Sequence, residues 1–155
     1  MKIVGISLSA EKPSRVAVLS SRGRLIALGT IQAGMSLFET AKQIEKYVLP
    51  LGVCLVVFEK PDFRNKANEL NFMSLATMIQ VLLSERGFAV REVRPGVWRE
   101  YQSYRVSDVE KTSIVQAEKI FGGMVLHPLD AKEADALNIA YYAMQNTSML
   151  LKGEL

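Results

Sequence analysis

Glu59 is the residue of this sequence whose position first suggests chemistry. It follows the apolar run 53–58, which is rich in β-branched residues and typical of a strand covered on both faces. Pro61 then ends the strand, because proline has no N–H to donate. A carboxylate at the carboxyl end of a buried strand lies where open α/β sheets place their ligands. Glu59 is therefore a candidate binding residue; the alternative is a rim glutamate that only faces solvent.

Further acids lie together late in the chain. Asp130, Glu133 and Asp135 fall in the first turn and a half of a predicted last helix. Another position that could reach the same edge is in the first predicted strand, where this chain has Ser7. A simpler role for the three acids is helix capping, because acids favour the first turn through the helix dipole and its free N–H groups.

A single sheet could bring these separated positions together. The pattern predicts the order β β β α β α β α α, with the first three strands forming an antiparallel meander. A helix then leads to a strand parallel to the first, and the same crossover follows again. We predict an α/β fold, a mixed five-stranded sheet between helices in the ribonuclease H-like arrangement, as one domain spanning 1–155. Strands are expected at 2–8, 15–19, 25–31, 53–58 and 89–93, and helices after Ser36, at 68–86, at 107–121 and at 130–151.

The composition is that of a globular protein. Of 155 residues, 49% are apolar and 23% are charged, and the net charge of +3 is only mildly basic. No apolar run is long enough to span a bilayer, and Met1 leads directly into a predicted strand, so neither a membrane segment nor a secretory leader is expected. Cys54 is the only cysteine and lies in the apolar run. A buried thiol in a reducing cytoplasm is the expected state.

Three segments together resemble a known family. They read Val-Gly-Ile-Ser-Leu-Ser at 4–9, Val-Val-Phe-Glu at 56–59, and Glu-Ala-Asp-Ala-Leu-Asn-Ile-Ala at 133–140. In this order the chain resembles, over nearly its whole length, the RuvC-type Holliday junction resolvases, and most of all the short ones carried by bacteriophages. The resemblance implies a phage-encoded, structure-selective endonuclease that binds branched DNA, Holliday junctions and forks, in the cytoplasm of a bacterial host.

The resemblance also implies a cofactor. In that family, acids on the first strand, the fourth strand and the last helix bind two divalent ions, usually Mg²⁺ or Mn²⁺. Two such ions about 4 Å apart can activate the attacking water and stabilise the leaving 3′ oxygen. No small-molecule cofactor is expected. The candidate metal ligands of this chain are Glu59, Asp135, Glu133 and Asp130.

The chain departs from the family pattern at two positions. Glu59 matches the fourth-strand glutamate and Asp135 the last-helix aspartate. Ser7, however, stands where the family has its first aspartate, and Lys132 stands where it often has an acid or a histidine. Serine removes one negative ligand, and an ammonium group repels a divalent ion. We therefore predict weak or absent cleavage with retained DNA binding; the alternative is a non-catalytic module that binds branched DNA.

Basic residues near the predicted site are the candidates for phosphate contacts. Such contacts give salt-dependent binding with little sequence reading. The alternative is an ordinary solvated surface. Phe63 could stack on unpaired bases, as could Trp98 and Tyr101, although a lone tryptophan is as often part of the core. The candidate DNA-binding residues are Lys12, Lys60, Phe63, Arg64, Lys66, Arg99 and Lys111, the last resembling a backbone-contacting lysine of the family.

A four-way junction has near two-fold symmetry, so a resolvase is expected to act as a homodimer. The predicted helix 68–86 carries Met73, Met78 and Ile79 in excess of one apolar stripe. This excess suggests a self-complementary surface; the alternative is an ordinary core helix.

Overall fold

The computed structural model describes residues 1–61, 63–98 and 109–153, with the backbone alone at 109–111. Within this part the strands and helices follow the predicted order. The strands are β1 (Lys2–Ser7), β2 (Ser14–Ser20), β3 (Leu25–Ile31), β4 (Cys54–Glu59) and β5 (Ala89–Val93). The helices are α1 (Leu37–Val48), α2 (Lys66–Glu85), α3 (Val109–Phe121), α4 (Ala131–Gln145) and α5 (Thr147–Lys152). None of these helices has the length and apolar composition that crossing a membrane requires.

The five strands form one mixed sheet in the order β3-β2-β1-β4-β5. The meander β1-β2-β3 is antiparallel, while β4 pairs parallel to β1 and β5 parallel to β4. Each parallel pairing follows a helix, because a chain must cross over the sheet before it can add a strand in the same direction. The predicted mixed five-stranded α/β sheet is confirmed.

Side chains alternate between two cores, one on each face of the sheet. On one face, Ile3, Leu55 and Val57 pack with α3, α4 and α5. On the other, Val4 and the even-numbered residues of β4 pack with α1 and α2. Both faces are covered, which explains why the β1 and β4 sequences are continuously apolar rather than alternating.

Helix α4 lies directly on β1, at Gly5. A Cβ atom added to Gly5 would collide with the Ala136 carbonyl oxygen and would lie 2.5 Å from the Ala140 nitrogen. A glycine on the strand and two alanines on the helix thus permit a close approach that larger side chains would prevent. This approach sets how far the start of α4 lies from the carboxyl end of β1.

Two predicted boundaries were wrong. The expected helix 130–151 is two helices, because the chain breaks at Asn146, whose amide donates to the Tyr142 carbonyl at 2.9 Å. A side chain that bonds the preceding turn in this way competes with the helical ladder. The expected helix 68–86 also starts earlier, since α2 begins at Lys66 after Asn65, whose side chain accepts from the Ala67 N–H at 2.8 Å.

Candidate functional site

Three neighbouring strands place Arg15, Ser7 and Glu59 in a row at one edge of the sheet. Ser7 of β1 pairs in register with Arg15 of β2. On its other side, the register that pairs Ile6 with Phe58 puts Ser7 next to Glu59 of β4. Neighbouring strands lie about 4.8 Å apart, and all three side chains occupy the sheet face covered by α4. The predicted meeting of the first and fourth strands therefore occurs.

The start of α4 lies over this row of side chains. Arg15 Nη2 is 3.1 Å from Asp130 Oδ2, and Arg15 Nη1 donates to the Thr30 hydroxyl at 2.5 Å. Both contacts fix the guanidinium between β3 and the start of α4. Arg15 was not among the residues singled out in the sequence, although the alternation of β2 already assigns it to the same face as Ala17 and Leu19.

Lys132 reaches the same place from the first turn of α4. Burial lowers the pKa of its ammonium group, and the positive charges of Lys12 and Arg15 lower it further, while Asp130 and Asp135 act in the opposite sense. The Lys132 charge therefore lies within range of both other cations. We call Lys12, Arg15 and Lys132 the basic half of the site.

Glu59 and Asp135 form what we call the acidic half. One carboxylate oxygen of Glu59 is buried at the end of β4. Asp135 accepts a hydrogen bond of 2.5 Å from the Ser113 hydroxyl on α3. Asn138 in turn donates to the Ser113 backbone and hydroxyl oxygens at 3.0 and 3.1 Å. Ser113 is 1% exposed and Asn138 is fully buried, so Asp135 is oriented from inside the protein.

Ser113 and Asn138 were both missed in the sequence. The available signal was Asn138 itself, a polar residue three positions after Asp135 inside an otherwise apolar stretch. A buried amide must find hydrogen-bond partners, which could have directed attention to a neighbouring helix. Nothing in the sequence singled out Ser113 as that partner.

Asp130 and Glu133 serve the start of α4. Asp130 Oδ1 accepts from the Glu133 N–H at 2.8 Å, and Glu133 Oε1 accepts from the Asp130 N–H at 3.2 Å, which completes a capping box. His127 Nε2 lies 2.9 Å from the other Glu133 oxygen. The capping role considered for Asp130 and Glu133 is confirmed.

The metal ions implied by the resemblance can be tested against these donors. Among the described residues, no three His, Cys, Asp or Glu side chains are grouped so that they could hold a metal ion. Ser7 offers a neutral hydroxyl beside Glu59, and Lys132 places an ammonium near Asp135. Mg²⁺ needs several oxygen ligands, preferably anionic ones. As it stands, the donor set does not fit a two-metal centre, and the Mg²⁺ or Mn²⁺ pair stays a prediction.

Comparison with solved structures identifies the architecture. A Thermus thermophilus RuvC in complex with Holliday junction substrate superposes with a TM-score of 0.74 at 17% identity, covering 96% of both chains. Another structure of Thermus thermophilus RuvC gives 0.72 at 17% identity, over 99% of this chain and 97% of that one. The chain has the RuvC fold. The predicted ribonuclease H-like architecture is thereby confirmed.

A viral structure has the same fold. The Fowlpox virus resolvase in complex with substrate Holliday junction DNA superposes with a TM-score of 0.68 at 13% identity, over 95% of this chain and 99% of that one. No family model and no curated protein matches this chain by sequence. The RuvC fold is therefore recognisable from the structure, although neither of these sequence comparisons finds a match.

Of the predicted DNA-binding residues, Lys12 belongs to the basic half. Lys12 is exposed, as are Arg64 and Lys66 at the start of α2. Lys60 Nζ is 3.3 Å from Glu69 Oε1, so the Lys60 ammonium group is already paired with a carboxylate. The side chains of Arg99, Tyr101 and Lys111 lie outside the described residues.

The two described aromatic candidates, Phe63 and Trp98, pack against other residues of the protein. Phe63 packs against Phe72 in a tilted arrangement, with ring centroids 5.4 Å apart. It also lines, with Lys12, a pocket of about 220 Å³ between the β1–β2 turn and α2. Trp98 is fully buried and belongs to the core, which was the alternative considered for it. Base stacking by Phe63 would thus require it to leave Phe72.

Helix α2 of the RuvC fold exposes an apolar stripe. Leu70, Met73 and Val81 are each about half exposed or more, and their spacing places them on one side of the helix. Ile79, by contrast, is buried, so its inclusion in the predicted surface was wrong. The helix does carry more apolar residues than one core-facing stripe needs, as predicted, but some of the residues named for the exposed surface face the core.

Proposed function

We propose that this chain is a resolvase-type protein that binds branched DNA, Holliday junctions and forks, and whose cleavage by two-metal hydrolysis is weak or absent. The proposal rests on one observation: on a RuvC fold, one edge of the sheet carries the row of Arg15, Ser7 and Glu59, and the Lys132 ammonium lies within range of Arg15. Superposition on two resolvases solved with junction DNA supports the same class of ligand.

The positively charged side chains at this edge support DNA binding through phosphate contacts, without recognition of the base sequence. Lys12 of the basic half is exposed, as are Arg64 and Lys66 at the start of α2. Lys and Arg side chains that neutralise phosphates bind in a salt-dependent, largely sequence-independent way. Selectivity for branched DNA over a linear duplex would then come from the shape of the DNA, because the phosphates of two duplex arms lie close together only where the arms meet.

An active, Mg²⁺-dependent junction endonuclease is the second candidate. Glu59 and Asp135 are both present, and the Ser113 hydroxyl still orients Asp135 at 2.5 Å. This half of the site could hold one divalent ion with help from the scissile phosphate. The missing carboxylate at Ser7 and the Lys132 charge are the reasons for ranking this candidate second.

A homodimer through α2 follows from the same proposal. In a dimer with a two-fold axis, each copy would bury the stripe of Leu70, Met73 and Val81 of the other. The dimer would then present one site to each pair of arms of a four-way junction. We expect Met73→Glu to convert a dimer to a monomer in sedimentation velocity. Val115→Glu on α3, equally exposed, is the matched control. A monomeric wild type at micromolar concentration would contradict the dimer.

The decisive experiment compares binding with cutting. Gel-shift titrations with a four-way junction, a fork and a linear duplex measure binding, and nicking of the same substrates at millimolar Mg²⁺ or Mn²⁺ measures cleavage. We expect the wild type to prefer branched DNA and to cut it poorly, and the double variant Ser7→Asp with Lys132→Asp to cut better. Equal affinity for duplex and junction contradicts the proposed ligand. Efficient cutting by the wild type favours the endonuclease instead.

A further inference from the structure

The basic half gathers three cations at the start of α4. Asp130, the N-cap residue of α4, contacts Arg15 at 3.1 Å, and Lys132 follows it by two residues in the same turn. Lys132 still experiences the positive charges of Lys12 and Arg15. It also lies in the first turn of α4, the positive end of the helix dipole. Three cations gathered at such a place favour a bound anion.

The geometry of Arg15 is prepared for such an anion. Asp130 holds Nη2 at 3.1 Å and Thr30 holds Nη1 at 2.5 Å, so the guanidinium is oriented before any ligand arrives. A preorganised cation loses less conformational freedom on binding than a mobile one. Ser7, in register with Arg15, contributes a hydroxyl that can donate to an anion, where an aspartate would repel it.

We propose that Lys12, Arg15 and Lys132 form a phosphodiester-binding site that needs no divalent cation, with the Lys132 ammonium supplying the positive charge otherwise brought by metal ions. This inference rests on the proposed function and specifies how the same edge holds its DNA. Ser7 and Lys132 then act together: the first removes a negative charge from the path of the phosphate, and the second adds a positive one.

Affinity measurements with and without metal test the site. We expect the wild type to bind a four-way junction equally well in EDTA and in Mg²⁺ at matched ionic strength. Lys132→Gln and Lys12→Gln should each weaken binding by about tenfold at low salt and reduce the slope of log affinity against log salt by about 1. Lys46→Gln, an exposed lysine on α1 at the opposite face, is the matched control and should change neither.

Two results separate failure of this site from failure of the proposed function. A wild type that does not prefer the junction over a duplex overturns the proposed function and this site with it. A wild type that binds the junction while Lys132→Gln and Lys12→Gln behave like Lys46→Gln overturns the site alone. Loss of wild-type binding in EDTA also overturns the site, because a metal ion would then be supplying the charge.

Metal binding provides a readout that involves no DNA. In a Mn²⁺ titration followed by electron paramagnetic resonance, we expect no site-specific binding to the wild type and clear binding to the double variant Ser7→Asp with Lys132→Asp. Mn²⁺ binding by the wild type that Glu59→Gln abolishes would overturn the inference. A double variant that still binds no Mn²⁺ would also overturn the inference, because it would show that Lys132 does not stand in for a metal ion.

Discussion

Asp135 in the acidic half is held from the core through Ser113 and Asn138, whereas Arg15 in the basic half is held near the surface by Asp130 and Thr30. Buried hydrogen bonds are expensive to leave unmade, whereas exposed ion pairs contribute little to stability. The acidic half is therefore tied to the folding of the protein. The basic half can change with small effects on stability, and its side chains are the ones available to a ligand.

The largest expected effect comes from disturbing both halves at once through Gly5. Gly5→Ala places a methyl group against the Ala136 carbonyl, so α4 must move away from β1. Overpacking of this kind costs about 1–3 kcal/mol or more, and each kcal/mol lowers Tm by about 2–4 °C in a chain of this size. Calorimetry measures the loss, and junction binding should fall with it.

Gly122→Ala is the control for that variant. Nothing lies within 4 Å of a Cβ atom built at Gly122. Its free energy of unfolding should change by no more than about 0.5 kcal/mol. A Gly5→Ala protein as stable as this control would show that the close approach of α4 does not constrain the site.

The acidic half alone is disturbed by Ser113→Ala. The variant removes the donor to Asp135 and one acceptor of the Asn138 amide. Leaving buried polar groups unsatisfied costs about 1–3 kcal/mol, which chemical denaturation should resolve. Junction affinity at 25 °C should change little, because the basic half keeps its contacts. Ser84→Ala, at an exposed serine on α2, is the control, and an equal loss in both variants would contradict the role of the network.

The basic half should respond with opposite signs in stability and binding. Lys132→Gln removes a crowded, partly buried cation, so we expect a higher Tm for the free protein and weaker junction binding. Because the pKa of Lys132 is lowered, the unfolded chain binds more protons than the folded one as the pH approaches 10.5. Wild-type stability relative to Lys132→Gln should therefore increase over that pH range. A lower Tm in the variant would contradict the idea that the Lys132 charge is unfavourable in the folded protein.

The smallest effect is expected from Asp130→Asn. Asparagine caps helices as well as aspartate does, and the lost ion pair with Arg15 is exposed enough to contribute only about 0–1 kcal/mol. Without its carboxylate partner, Arg15 keeps only the Thr30 contact and is less well oriented for a phosphate. We expect a loss of junction affinity of no more than a few-fold in low salt, measured by fluorescence anisotropy. Stronger binding would show that Asp130 competes with the phosphate for Arg15 rather than positioning it.

Local signals were enough to assign Glu59 and Asp135 to their strand and helix, but not to single out Arg15. Glu59 was placed correctly because an apolar run and Pro61 mark the end of a strand. Asp135 was placed by its position at the start of a helix. Arg15 was missed because its role depends on strand pairing, since only the register with Ser7 brings it to the site.

Long-range partners escaped prediction for a related reason. Ser113 meets Asp135 across 22 positions of sequence, and its contact depends on how α3 packs against α4. The break between α4 and α5 was also missed, because apolar residues continue on both sides of Asn146. Spacing within one helix or strand is readable from sequence, but the contacts between elements are set by tertiary packing.

The cross-strand row of Arg15, Ser7 and Glu59 makes the chemistry of this edge easy to exchange. The backbone delivers whatever side chain occupies position 7 to the same point between its two neighbours, because strand pairing rather than loop conformation sets that point. Under the proposed function, substitutions at positions 7 and 132 alone could add or remove hydrolysis, while the sheet and the helix that carry them stay unchanged.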